Sequence, residues 1–265
     1  MAPLLVVSLL VASPGAAQAE PPELVTDRPD QTESAEVVPR GFFQLEWGWI
    51  HTADDEDEVT ERSDDIGNFL LRIGIFENVE LRLGWNGFSA RDRRAASVGQ
   101  SQSGLLDADL GFKIKLAEER GSRPQVAFLG ALVLPVGDDE ISESRFDPAF
   151  RFAFAHSLSD RLGVGYNLGM VWESEFDDDG ERKLLSSAIY TLASGFAISD
   201  TVAAYVELFG SIPASASGIP SNSFDGGFVW LVRPNLQLDI EAGVGLSSAA
   251  ADWSVGAGLT VRFPR

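Results

Sequence analysis

The residues able to do chemistry in this chain are few in type. It has two histidines, His51 and His156, and no cysteine. Thiolate metal sites, cysteine nucleophiles and a disulfide scaffold are therefore excluded. His156 is followed by Ser157 and Ser159, which could supply a base and a nucleophile. Activating a serine needs a base in hydrogen-bond reach and a third group to orient it, and this stretch reads better as a lone histidine. Runs of acid, Asp54 to Glu58, Asp138 to Glu140 and Asp177 to Asp179, could attract divalent cations. Asp177 to Gly180 opens like a calcium loop but lacks its spaced ligands, so no metal site is expected. Gly163, Gly165 and Gly169 do not make a phosphate loop, because no helix follows. No cofactor is expected. With 40 acids against 20 bases, a net charge of -20 and a pI near 4.3, nucleic acid is excluded as a partner by charge repulsion.

A larger set of charges recurs at alternate positions: Glu46, Arg72, Glu80, Arg82, Asp107, Asp109, Lys113, Lys115, Asp147, Arg151, Glu173, Glu207, Asp225, Asp239, Glu241 and Arg262. All but Glu173 lie between apolar or glycine neighbours. In Leu106 to Leu116, Leu106, Ala108, Leu110, Phe112, Ile114 and Leu116 share one parity, and Asp107, Asp109, Gly111, Lys113 and Lys115 the other. A strand separates these sets onto two faces, whereas a helix would scatter them. The same parity opposes Leu238, Ile240 and Val244 to Asp239 and Glu241, and Val255, Leu259 and Phe263 to Gly256, Thr260 and Arg262.

About twelve such strands follow, over 41–52, 65–75, 80–88, 105–116, 125–136, 146–157, 162–173, 184–197, 202–212, 223–232, 237–246 and 252–263. They exceed the usual soluble strand of about five or six residues and match the nine to eleven of a transmembrane strand. Connections alternate between short, as at Phe76–Val79, and long, as at Ser89–Gly104. Short periplasmic turns and long outer loops are the outer-membrane pattern. No stretch reaches the 18 apolar residues of a helical span. The expected fold is all-β, a single transmembrane antiparallel β-barrel of about 12 strands, with large apolar residues toward lipid and the charged parity toward the lumen. Those charges read either as cross-strand ion pairs filling a narrow barrel or as the lining of a selective pore.

Ahead of the barrel, residues 1–19 read as a signal peptide: an apolar run from Leu4 to Ala12, then Ala17-Gln18-Ala19, with cleavage expected after Ala19. Residues 20–40 are polar and read either as a plug for the lumen, through Asp27, Arg28, Asp30 and Glu33, or as a periplasmic tail. Residues 41–265 form the barrel.

The stretch Glu23 to Glu46, ELVTDRPDQTESAEVVPRGFFQLE, resembles the outer-membrane transporter family associated with a MetA pathway of phenol degradation. The matching positions are Thr26, Asp27, Arg28, Pro29, Asp30, Thr32, Glu33, Ser34, Val38, Pro39, Gly41, Gln44, Leu45 and Glu46. The resemblance implies passive transport of small solutes, aromatic or hydrophobic ones among them. The alternatives are a closed, non-conducting structural or binding barrel and, further off, a membrane-embedded hydrolase. Outer-membrane phospholipases set His and Ser two residues apart on a barrel wall, and that pairing is absent here. The expected location is the outer membrane of a Gram-negative bacterium. The expected partners are its lipid and lipopolysaccharide, the barrel assembly machinery and an unidentified small solute.

Overall fold

The structure is a computed structural model that describes residues 22–56, 59–95, 98–142, 145–176, 182–215 and 218–264. The leader with its cleavage after Ala19, and the acids Asp57, Glu58 and Asp177 to Asp179, lie outside those residues.

The strands are β1 (Phe42–Glu56), β2 (Val59–Phe76), β3 (Val79–Trp85), β4 (Phe88–Ala95), β5 (Val98–Leu105), β6 (Ala108–Ala117) and β7 (Gln125–Leu134). There follow β8 (Pro148–Ser159), β9 (Leu162–Phe176), β10 (Arg182–Ala197), β11 (Val202–Pro213), β12 (Ser221–Arg233), β13 (Leu236–Gly245) and β14 (Trp253–Pro264). Neighbours pair antiparallel, and β1 pairs with both β2 and β14, from Phe42↔Pro264 to Ala53↔Trp253. Twelve strands thus close into a barrel with no free edge at membrane depth, as hydrocarbon requires. At the seam Phe43 stacks on Phe263, ring centroids 5.2 Å apart.

The remaining two strands branch off. The first part of β2, Val59–Ile66, pairs with β4, and its second part, Phe69–Phe76, pairs with β3. The stretch 89–104, expected as a loop, is therefore mostly the β4–β5 hairpin, and 53–64 continues β1 and β2 as a ribbon. Both faces of these extensions meet water. They carry no apolar alternation for a sequence to show, and Arg91-Asp92-Arg93-Arg94 reads as loop.

The molecule is inverted relative to a soluble domain. Leu110, Phe112, Leu168, Leu192, Val206, Phe228 and Ile240 are exposed on the outer wall, while the largest fully buried side chains include Arg72, Lys113, Gln44, Glu46, Glu80 and Glu207. The apolar interior is a small cluster of Ala35, Ala127, Leu129 and Ala153. Among the described residues no helix is long and apolar enough to cross a membrane.

Candidate functional site: the charged lumen and the segment inside it

Residues 22–40 run within the barrel and touch lumen side chains nearly all the way round. The β1–β3 and β6 side carries the bases Arg72, Arg82, Lys113 and Lys115 beside the acids Glu46, Glu80 and Asp109. Antiparallel register sets Arg72 opposite Arg82 and Glu80 opposite Lys113. Two arginines face to face repel unless an anion lies between them. Glu80 is one such anion, at 2.9 Å from Arg72 and 3.0 Å from Arg82. The other is Asp27 of the inner segment, at 3.0 Å from Arg72, 2.6 Å from Arg82 and 2.8 Å from Lys113. Burial would raise the Asp27 carboxyl, but the charges of Arg72, Lys113 and Arg82 outweigh it and hold the group well below its ordinary value of 3.8.

The rest of the segment is fastened by the same logic. Nη2 of Arg82 donates to both oxygens of Glu33 at 2.8 Å, a charge-assisted contact. The Val38 amide donates to Glu80 at 2.6 Å, and the Ser34 amide and hydroxyl donate to Asp27 at 2.8 and 2.6 Å. Asn167 of β9 pairs with the Glu33 backbone in both directions, at 2.8 and 3.0 Å. The segment passes so close to β2 that a Cβ at Gly74 would collide with the Val38 and Pro39 carbonyl oxygens.

Across the lumen, the β11–β13 side is acidic. Glu207 and Asp225 sit opposite each other in register, and Glu241 lies on the next strand. Arg28 reaches this side, contacting Asp239 at 3.1 Å, and Gly48 and Gly258 leave room for its guanidinium. Glu207 accepts from the Gln31 amide at 2.6 Å and from the Thr32 hydroxyl. Burial, then the Glu207 charge, pushes the Asp30 carboxyl well above 3.8.

Of the sixteen alternating charges, Glu46, Arg72, Glu80, Arg82, Asp107, Lys113, Asp147, Glu207, Asp225, Asp239 and Arg262 are buried. Asp109, Lys115, Arg151 and Glu241 are half-buried, and Glu173 is exposed at the loop end. Lys115 pairs with Glu36 at 3.3 Å near the turn end. Asp107 and Asp147 do not join the central cluster. Asp107 accepts from the Gly137 amide at 2.8 Å and from the Ser142 hydroxyl, and Asp147 accepts from the Ser174 amide at 2.9 Å. Both acids tie down the chain around the outer mouth. Uncharged members of the inward parity join the charges inside: Gln44, Asn167 and Thr260 are fully buried, and Thr191 and Tyr205 nearly so. Their shared parity with the charges was the available signal. Among the described residues no group of three or more acids or histidines is placed to hold a metal ion. His156 lies beside the Tyr166 ring at 6.1 Å, and the Ser157 amide donates to Glu119.

A string of spaces flanks the segment. At the loop end a cavity of about 470 Å³ is bordered by Asn68, Asn86, Asp107 and Glu173. Asn68 and Asn86 also border a space of about 230 Å³ that reaches Asp27, Glu33, Arg82 and Asp109. Glu33, Arg82 and Asp109 border a third of about 110 Å³ beside Arg151. Glu33 borders a fourth of about 490 Å³, which opens at the turn end beside Glu119, Gln125 and Ser157. Gly163, Gly165, Ala193 and Gly195 make room for that last cavity.

Residues 26–263 match the family described as "Putative MetA-pathway of phenol degradation". The barrel resembles the COG4313 outer membrane channel from Pseudomonas putida F1, with a TM-score of 0.67 and 13% identity over 86% of this chain and 98% of that one. It also resembles the translocator domain of autotransporter NalP from Neisseria meningitidis, with a TM-score of 0.58 and 9% identity over 85% and 90%. The NanC porin gives a TM-score of 0.52 and 8% identity over 83% and 98%. At these identities the likeness establishes the fold, an outer-membrane barrel. Curated protein sequences give no match.

Proposed function

The chain belongs to the family described as "Putative MetA-pathway of phenol degradation", and from that premise we propose that it is a passive outer-membrane channel whose bore is narrowed by its own residues 22–40. The observation that carries this reading is the string of cavities from the loop end to the turn end, with Glu33 bordering three of its four members. The Glu33–Arg82 ion pair stands between two of these spaces and borders both. A pair of charged side chains can rotate aside, whereas a wall of backbone cannot. Small solutes, aromatic or hydrophobic ones among them, pass by diffusion with no covalent chemistry. The mature chain starts after Ala19, is folded into the bilayer by the assembly machinery, and meets lipopolysaccharide with its long loops.

Single-channel recording in a planar bilayer tests this. The full mature chain is expected to give small steps, and deletion of residues 22–38 several-fold larger ones. A chain that stays silent in both forms is a closed structural barrel.

A further inference from the structure

The outward wall of β11–β13 is not a smooth apolar face. Register sets Gly226 between Val206 and Ala242 in one cross-strand row, and Phe228 between Ala204 and Ile240 in the next. Small residues thus run diagonally across three strands. Val206, Phe228 and Ile240 rise around them and are 42%, 52% and 57% exposed. Between these side chains lies a groove of about 410 Å³. Tyr205, Gly227 and Glu241 also border it, but their parity is inward. The groove is therefore apolar, and the barrel fold sets it against hydrocarbon.

The same wall carries a base at its turn end. Along β12 the outward parity runs through Phe224, Gly226, Phe228, Trp230 and Val232, so Arg233 belongs by count to the inward set with Leu231. A register shift between Leu231 and Arg233 changes that. It sets Arg233 opposite Leu236, and Leu236 lies opposite Val261. Leu236 shares the outward parity of Leu238 and Ile240, and Val261 that of Leu259 and Phe263. Directly opposed residues share a face, so the irregularity re-aims Arg233 toward the lipid side, as bulges do. Arg233 is exposed there. Trp230 stands between it and the groove, at the place of an interfacial aromatic.

We propose that this strip binds one glycerophospholipid of the periplasmic leaflet, its phosphate on Arg233 and the end of an acyl chain in the groove. The planar guanidinium suits a phosphate. Gly226 to Arg233 is seven residues along β12, about 23 Å at about 3.3 Å per residue and roughly 18 Å in depth at a tilt of about 40°. One leaflet's share of the hydrocarbon is about 15 Å, so a phosphate level with Arg233 carries its acyl chain as far as the groove. The β12–β13 turn is short, and short turns are periplasmic. Lipopolysaccharide belongs to the opposite leaflet. A second copy of the chain fits less well. Copies in one membrane point the same way, so docking by this wall would bring another Arg233 to the same depth and no anion. The site needs the barrel in its membrane and does not rest on conduction.

Native mass spectrometry of the detergent-solubilised mature barrel tests this with two probes. Dioleoyl phosphatidylglycerol has the phosphate, and dioleoylglycerol has the same chains without it. The expected spectrum shows one phosphatidylglycerol adduct in excess of a statistical ladder, and no such excess with dioleoylglycerol. Ala242→Leu fills the groove from its outward side and is expected to abolish the excess. Arg233→Gln is expected to weaken it about fivefold, the worth of one basic residue at an anionic lipid surface. Arg161→Gln, which removes an exposed base from another short turn, is expected to change nothing. Each variant is first shown to keep the heat-dependent gel shift of a folded barrel. A purely statistical ladder, equal retention of the two probes, or an adduct indifferent to Ala242→Leu or to Arg233→Gln overturns the site. So does a loss on Arg161→Gln equal to that on Arg233→Gln, which would be unspecific charge attraction. A dimer that Ala242→Leu disperses would give the groove to a second copy instead.

Discussion

The two sides of the lumen solve opposite electrostatic problems. On the β1–β3 and β6 side, like-charged Arg72 and Arg82 are opposed in register, and the inner segment brings Asp27 between them and Lys113. On the β11–β13 side, like-charged Glu207 and Asp225 are opposed in register, and the segment brings no cation to Asp225. The first wall is neutralised by a covalently attached anion and therefore holds the segment. The second keeps an excess of acidic residues, Glu207, Asp225, Asp239 and Glu241 against Arg28. A shared anion fastens the segment at the first wall, whereas at the second Arg28 and the Gln31 and Thr32 donors hold it beside a like-charge pair.

The sharpest way to break this contrast is to remove the shared anion. Asp27→Ala leaves three buried cations without it, and losing one partner of a buried pair costs about 3–5 kcal/mol. The expected outcome is release of the segment, read as rapid cleavage after Glu33 or Glu36 by a glutamate-specific protease, with the barrel itself intact. Protection equal to the parent would show that Asp27 does not hold the segment.

Gly74→Val attacks the same wall through shape. Its side chain would meet the Val38 and Pro39 carbonyl oxygens, and overpacking of this kind costs about 1–3 kcal/mol. Partial protease sensitivity is expected, and the charges at Asp27 stay in place. Full protection would mean that the segment can shift without losing its anchors.

The barrel was legible because lipid imposes a strict parity, and residues such as Leu110 and Phe112 against Asp109 and Lys113 display it without help from tertiary context. The β4–β5 hairpin was not, because water on both faces removes the alternation around Arg91 and Arg93. The lumen was half legible. Parity gives the face a charge points to and says nothing of its partner. The opposition of Arg72 to Arg82 is answered in part by Glu80 and completed by Asp27, which arrives from a stretch with no regular structure and no period. Uncharged Asn167 and Tyr205 share that parity but were invisible to a search made on charge.

The two walls should also answer pH with opposite sign. Asp27 is held below its ordinary 3.8, so its contribution to docking is present above 3.8 and is lost as pH falls through the lowered value. Asp30 is raised above 3.8, so its contribution is present below 3.8 and is lost as pH rises through the raised value. Amide exchange of residues 25–38, corrected for intrinsic rates, is expected to quicken as pH rises from 4 toward neutrality. Asp30→Asn should flatten that limb and Asp27→Asn should not. A slope that survives Asp30→Asn would assign the effect to another group.

The smallest effect is expected where the contrast is most counterintuitive. Asp225→Asn removes a buried charge, yet the residue opposes Glu207 and one of its oxygens has no partner. Relief of a cross-strand like-charge pair is worth roughly 0.2–1 kcal/mol, and an amide in its place still leaves polar atoms to satisfy. Protease protection of the segment should therefore match the parent or exceed it slightly, while Asp27→Ala on the facing wall abolishes it. A loss of protection on Asp225→Asn as large as that of Asp27→Ala would mean that Asp225 also fastens the segment, and the contrast between the walls would fall.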